Sequence, residues 1–214
     1  MQISILTLFP EMFQGPFAYS IVKKAQEKGL ATINFINIRD FGKGVHKVVD
    51  DTPYGGGVGM VMRVDVLHEA IQHAIDAFPT KNHLVILTSA KGETYTQQLA
   101  QSFSRHEHLI IVCGHYEGVD ERVLQFIDKE ISIGEYVLTG GEIPAMIITD
   151  SVTRLIDGVL KPAATADESY SLDEHKREYP HYTRPATFQN NSVPDVLLSG
   201  NHQEITQWRA SKRR

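Results

Sequence analysis

The sequence predicts an α/β layer fold with a mostly parallel sheet, and three observations predict it. Short apolar runs rich in β-branched residues recur along the chain. Stretches whose apolar residues repeat at helical spacing lie between them. The order strand, helix, strand then repeats, which suits an α/β layer fold with a mostly parallel sheet, and three strand ends carry glycine-punctuated loops.

Residues 3–9 (Ile3-Ser4-Ile5-Leu6-Thr7-Leu8-Phe9) read as a buried strand stopped by Pro10. A helix is expected over 17–29, with Ile21, Val22 and Ala25 on one face and Gly29 closing it. Residues 32–38 alternate as a second strand. Asp65 is placed as the N-cap of a helix that carries Val66, Leu67, Ala70, Ile71, Ala74 and Ile75. Residues 84–88 and 109–113 read as the third and fourth strands, and 130–133 lead into another glycine-rich loop. An amphipathic run over 147–160 carries Arg154. The composition then turns to Ala, Asp, Glu, Lys, Tyr and Pro, so 161–185 is expected to be a linker or mobile functional loop, followed by a short helical tail over 200–214.

The 214 residues fit one large domain, or a domain with a smaller appendage. Hydrophobic residues make up 42% and charged residues 22%, which suits a globular chain and excludes a disordered one. No apolar run is long enough for a membrane span, and the N-terminus has no signal-peptide pattern. With a single cysteine, Cys113, the expected compartment is the cytoplasm. A net charge of −5 excludes a chain that binds nucleic acid by total charge, yet the basic stretch from Trp208 to Arg214 offers a local basic face.

Ligands of open parallel sheets sit beyond the carboxyl ends of the strands. The glycine-rich segments after Thr88, Cys113 and Ile133 therefore point to a small-molecule pocket with adenosine-like or phosphate chemistry. The loudest glycine loop, Gly55-Gly56-Gly57-Val58-Gly59, lacks both the Walker A ending and the dinucleotide pattern. A helix follows it near Asp65, so a phosphate cradle, and with it a nucleotide enzyme, is one alternative. Cys113 reads as a core residue and not as a nucleophile. The histidines lack metal-site spacing, and His106 and His108 are expected to be exposed. Asp120 reads as a helix cap, and Glu117 lies nearer the strand end, where it would meet a cationic ligand.

Taken in order, these segments resemble one family, the bacterial tRNA (guanine-N1)-methyltransferases called TrmD, of the SPOUT class. The resemblance rests on Phe9-Pro10-Glu11-Met12-Phe13, on Asp50-Asp51-Thr52-Pro53-Tyr54-Gly55-Gly56-Gly57-Val58-Gly59-Met60, and on Cys113-Gly114-His115-Tyr116-Glu117-Gly118-Val119-Asp120-Glu121-Arg122. It rests further on Gly134-Glu135-Tyr136-Val137-Leu138-Thr139-Gly140-Gly141-Glu142-Ile143-Pro144, on Asp150-Ser151-Val152 with Arg154, and on Pro180-His181-Tyr182-Thr183-Arg184-Pro185. These motifs span nearly the whole chain. The resemblance implies a deep trefoil α/β knot, an exception among protein topologies. It also implies a homodimer whose active site lies at the subunit interface. The domains would be a catalytic domain over 1–160, an interdomain linker over 161–185, and the start of a helical tRNA-binding domain over 186–214. Relatives would continue beyond Arg214.

The implied cofactor is S-adenosylmethionine, with Mg²⁺ as an accompanying ion. Thr88, Ser89, Ala90, Gly114, Tyr116, Glu117, Ile133, Gly134, Tyr136, Leu138, Gly140, Gly141 and Pro144 would line its site. Asp50, Asp51, Gly57, Gly59 and Ser169 would face the substrate tRNA, which is methylated on N1 of the guanine at position 37. Where the family has Asp-Ser-Phe, this chain reads Glu168-Ser169-Tyr170, preceded by Asp167. Glu168 is therefore the first candidate base and Asp167 the second, with Arg154 stabilising the guanine O6. This departure also opens an alternative reading, a knotted protein that binds tRNA or cofactor with little or no turnover.

Overall fold

In a computed structural model the described residues are 1–165, 168–171 and 177–213, and they form two compact units, Met1–Leu160 and Lys161–Arg214. The first unit begins with strand β1 (Gln2–Thr7). Helix α1 (Ser20–Glu27), strand β2 (Thr32–Asn37), the short strands β3 (Asp50–Asp51) and β4 (Val61–Met62), and helix α2 (Val64–Ala77) follow. Strand β5 (His83–Thr94), helix α3 (Gln97–Phe103), strand β6 (His108–Cys113), strand β7 (Lys129–Ser132) and helix α4 (Glu142–Thr153) complete it. The second unit holds helix α5 (Pro162–Thr165), strands β8 (Thr187–Phe188) and β9 (Asn191–Ser192), and helices α6 (Asp195–Leu198) and α7 (His202–Lys212).

Five strands build one parallel sheet in the order β2-β1-β6-β5-β7, the α/β layer arrangement that the β-branched runs predict. The central strands are apolar on both faces because each face is covered. Ile3, Ile5, Ile86, Leu109 and Ile111 pack on one side with Phe13, Phe103 and Ile148. Leu6, Val85, Leu87, Ile110 and Val112 pack on the other with Val66, Leu67 and Ile71 of α2. Burial on this scale contributes roughly 1.5–3 kcal/mol for each large apolar side chain.

Several boundaries differ from the sequence reading. β1 ends at Thr7, and Phe9 precedes a 3-10 turn at Pro10–Phe13. The helix expected over 17–29 is a 3-10 turn at Pro16–Ala18 followed by α1. Arg63, not Asp65, occupies the N-cap of α2. Asp65 lies one residue inside the first turn, where the exposed N–H groups favour an acid, and it accepts from Val66 N at 3.1 Å. The run over 147–160 is helical only to Thr153, with Arg154 as the C-cap. His108, expected on the surface, is fully buried because Ser4 on the neighbouring strand meets its Nε2 at 2.9 Å.

Two features at the carboxyl edge of the sheet create room for a site. β5 pairs with β7 up to Thr88↔Ile131 and resumes at Glu93↔Ile131, so the intervening residues bulge out of the ladder. The start of α4 then passes between the ends of β5 and β6. A Cβ on Gly141 would lie 2.0 Å from Thr88 Oγ1 and 2.7 Å from Gly114 N, so only glycine fits at this crossing. Gly141 N donates to Gly114 O at 2.8 Å and fixes the crossing.

Candidate active site

Loops leaving β5, β6 and β7 enclose a cavity of about 220 Å³. Thr88, Ser89 and Ala90 reach it from the β5 bulge, and Gly114, Tyr116 and Glu117 from the loop after β6. Ile133, Gly134, Tyr136, Leu138, Gly140, Gly141 and Pro144 come from the segment between β7 and α4. Residues so distant in sequence meet because parallel strands place their carboxyl ends side by side. Sequence reasoning missed Lys91, His115 and Thr139, which also line the cavity. Their signal was position alone, since each lies inside a loop already singled out.

Short-range bonds hold each loop in shape. Lys91 N donates to Ser89 Oγ at 3.2 Å. Gly118 N donates to His115 O at 3.1 Å, closing a turn in which Tyr116 adopts φ +60°. Ser132 Oγ donates to Gly134 O at 3.0 Å, and Tyr136 OH donates to Ile133 O at 3.3 Å. Thr88 Oγ1 ties the loops together by donating to Val112 O at 3.1 Å and accepting from Gly114 N at 3.4 Å. Side-chain-free walls at 140 and 141, beside apolar Ile133, Leu138 and Pro144, form a cradle in which a flat polar ligand meets backbone groups on an apolar bed.

A short ribbon is laced onto the β6 loop. β3 and β4 pair antiparallel, Asp50 opposite Met62 and Asp51 opposite Val61. Glu117 N donates to Met60 O at 3.0 Å, Met62 N to Gly118 O at 3.0 Å, and Asp120 N to Met62 O at 3.0 Å. Gly59 packs against the Glu117 side chain. The tip of this ribbon, with Gly57, Tyr54 and Val58, projects into solvent. It does not open directly onto α2, because β4 and Arg63 intervene. Arg63 instead bonds Asp65 (Nη2 to Oδ2, 2.9 Å) and Asp51 (Nη1 to Oδ2, 3.2 Å). The hydrogen bond from Arg63 holds the Asp65 carboxyl below its usual range, and Arg122 does the same for Asp120. Asp120 caps the 3-10 turn at Glu121–Phe126 by accepting from Arg122 N at 3.0 Å.

Arg154 closes α4, its N–H donating to Asp150 O at 3.2 Å. One turn earlier Ser151 Oγ bonds Tyr95 OH at 2.7 Å, and burial pushes the Tyr95 phenol up to about 12. In the second unit Glu168 opens a turn whose carbonyl accepts from Ser171 N at 3.2 Å. Ser169 Oγ accepts from Glu178 N at 3.0 Å, and Tyr170 stands at φ +66°, a strained conformation for a bulky residue. Asp167, the second candidate base, lies outside the described residues. Arg209 stacks over Tyr179 at 5.0 Å, and Tyr182 faces Trp208 at 6.3 Å. Cys113 is buried, and burial together with the nearby Glu142 carboxylate drives its thiol well above its ordinary pKa, so it is no nucleophile. Among the described residues no group of three or more His, Cys, Asp or Glu side chains is placed to hold a metal ion. No helix among them is long and apolar enough to cross a membrane.

A family model described as tRNA (Guanine-1)-methyltransferase TrmD matches residues 1–214. A tRNA (guanine-N(1)-)-methyltransferase of Carboxydothermus hydrogenoformans is 57% identical over 210 residues, covering 98% of this chain and 81% of the relative. The enzyme of the same name from Pelotomaculum thermopropionicum is 52% identical, covering 98% and 83%. That of Geobacillus kaustophilus is 51% identical over 211 residues, covering 98% and 85%.

Proposed function

From the premise that the chain belongs to the TrmD family of tRNA (guanine-N1-)-methyltransferases, we propose that the cavity beyond β5, β6 and β7 is its S-adenosylmethionine site and that its target is the guanine at tRNA position 37. The chain is an S-adenosylmethionine-dependent tRNA methyltransferase, and its parallel α/β sheet is consistent with the SPOUT knot of that family. One observation carries the site assignment. Every residue that the family resemblance assigns to the cofactor lines this one cavity. Action on tRNA supports a location in the cytoplasm.

When bound, S-adenosylmethionine supplies an electrophilic methyl group on a sulfonium. The chain's own residues do the rest. Backbone groups at 114, 133, 134, 140 and 141 and the Leu138 and Pro144 side chains would seat the adenosine. Guanine N1 carries a proton at neutral pH, so a base must remove it before the nitrogen lone pair can take the methyl carbon. Glu168 is that base, and Asp167 is the neighbouring carboxylate. As the proton leaves, negative charge grows on O6, and Arg154 stabilises it. The target base must leave its stack to reach such a site. Asp50, Asp51, Gly57, Gly59 and Ser169 face the RNA, and Arg209, Lys212 and the Tyr179–Tyr182 aromatics offer phosphate contacts and stacking surfaces.

The working form is a homodimer with its active site at the subunit interface. α4 is apolar on two faces, with Ala145, Ile148 and Val152 buried while Ile143 and Ile147 are 46% and 43% exposed. Met12, 46% exposed, comes from the turn packed beside α4 and extends this apolar face, which a second copy would cover.

Calorimetric titration tests the site. S-adenosylmethionine should bind to the wild type and fail to bind to Leu138→Trp, which fills the cavity. Undiminished binding to that variant would overturn the assignment.

A further inference from the structure

Glu142 is a buried acid with a neighbour that none of the preceding steps uses. It begins α4, is 3% exposed, and accepts from Thr7 Oγ1 on β1 through Oε1 at 2.9 Å. Its second oxygen looks toward the cofactor loops. A Cβ built on Gly140 would lie 2.4 Å from Glu142 Oε2 and 2.7 Å from His115 Nδ1, so the two polar atoms flank the same point, and only a residue without a side chain leaves it clear. Among the described residues His115 Nδ1 is buried without a hydrogen-bond partner. A buried, unsatisfied ring nitrogen beside a buried carboxyl is costly unless the two are used together.

The end of β1 and the residue that caps the next turn brace this arrangement. Thr7 Oγ1 donates to Glu142 and accepts from Phe9 N at 2.9 Å, and the Phe9 ring meets the His115 ring edge-on at 5.1 Å. His115 in turn meets edge-on, at 4.9 Å, the ring of Tyr116, which is held at φ +60°, and His115, Tyr116 and Glu117 all lie on the cavity wall.

We infer that Glu142 and His115, whose Oε2 and Nδ1 flank the same point at Gly140, act together as a buried latch that positions the cofactor loop after β6 against the loop before α4. This rests on the reading of the cavity as the S-adenosylmethionine site. Neither residue touches the reacting atoms, so both are positioning residues. The latch fixes the wall on which the adenosine is seated, and its loss weakens cofactor binding more than it slows the transfer step.

Steady-state kinetics of the full chain test this with His115→Ala, Glu142→Ala, the double variant, and the rescuers His115→Asn and Glu142→Gln. Asn places a polar atom near Nδ1, and Gln retains an acceptor for Thr7 with an amide facing His115. Each Ala variant is expected to raise the KM for S-adenosylmethionine about tenfold, with kcat at saturating cofactor little changed. The double variant should be no worse than the poorer single one, because coupled residues are non-additive. The rescuers should recover most of the affinity. Effects that multiply in the double variant, or a His115→Ala protein with wild-type KM, would overturn the latch. If Glu142→Ala does not fold, the cycle is run with His115→Ala and Glu142→Gln, and His115→Ala alone still decides. Failure of the cavity assignment is separable, because it shows as undiminished binding to Leu138→Trp whatever the latch variants do.

Discussion

The two units of this protein are built on opposite principles. In Met1–Leu160 the cavity is walled by loops crossing over a buried sheet, and the core beneath it includes fully buried Ile86, Ile111, Val112 and Ile131. In Lys161–Arg214 no described residue is buried, and α7 presents an exposed, basic, aromatic surface. A site lined by backbone over a packed core is formed before its ligand arrives. With no buried side chain among its described residues, the second unit offsets little of its chain entropy by the apolar burial seen there. Under the proposed function, the first unit would hold the cofactor together with Arg154 and the Asp50–Gly59 ribbon, and the second would add the base and further RNA contacts.

The largest expected effects separate transfer from cofactor binding. Arg154→Ala should lower methyl transfer by roughly 10²–10³-fold, the cost of removing a group that stabilises developing charge. Glu168→Gln should lower it by roughly 10²–10⁴-fold, as for a lost general base. Calorimetry should find S-adenosylmethionine affinity intact in both. Loss of binding along with turnover would break the division of labour. A fragment covering Met1–Leu160 is the next test. It should still bind S-adenosylmethionine and leave tRNA unmethylated, and a fragment that loses the cofactor would show that the second unit helps to build the cavity.

Gly141→Ala is expected to have a smaller, local effect. Its Cβ would strike Thr88 Oγ1 and the Gly114 backbone, and overpacking of this kind costs about 1–3 kcal/mol. Thermal unfolding should report that loss together with weaker cofactor binding.

The smallest effect lies at the other end of the sheet. Burial, reinforced by His83, holds the His108 imidazole below its ordinary 6.5. The unfolded chain therefore takes up a proton more readily than the folded one. Stability should fall as the pH drops below about 6.5 and level off once the folded-state value is passed. His108→Gln should flatten this slope in melting curves recorded between about pH 7 and pH 5.

Much of the first unit was legible because its strands carry their own signal. The runs at 3–7, 84–88 and 109–113 are mostly apolar and rich in Ile, Val and Leu, as suits strands covered on both faces. What escaped depends on partners far along the chain. His108 follows a polar stretch that reads as a turn, and its burial depends on distant partners, Ser4 at its Nε2 and the Phe78 ring edge-on at 5.5 Å. Glu142 looks like an ordinary first-turn acid until Thr7, 135 residues away, is found beneath it. The cavity is of the same kind. Glycines after three strands suggested a pocket, but periodicity does not say that the chain crosses between β5 and β6 at Gly141. The family resemblance, and not the spacing of residues, named its lining. In the second unit the weakness is physical, because with no buried residue among those described there is little apolar period to read.

The most direct test is transfer of labelled methyl from S-adenosylmethionine to unmodified tRNA transcripts that differ only in having guanine or adenine at position 37. The expected result is label on the guanine transcript alone, lost in Arg154→Ala while cofactor binding persists. Equal labelling of both transcripts, or transfer that survives in Arg154→Ala, would contradict the account.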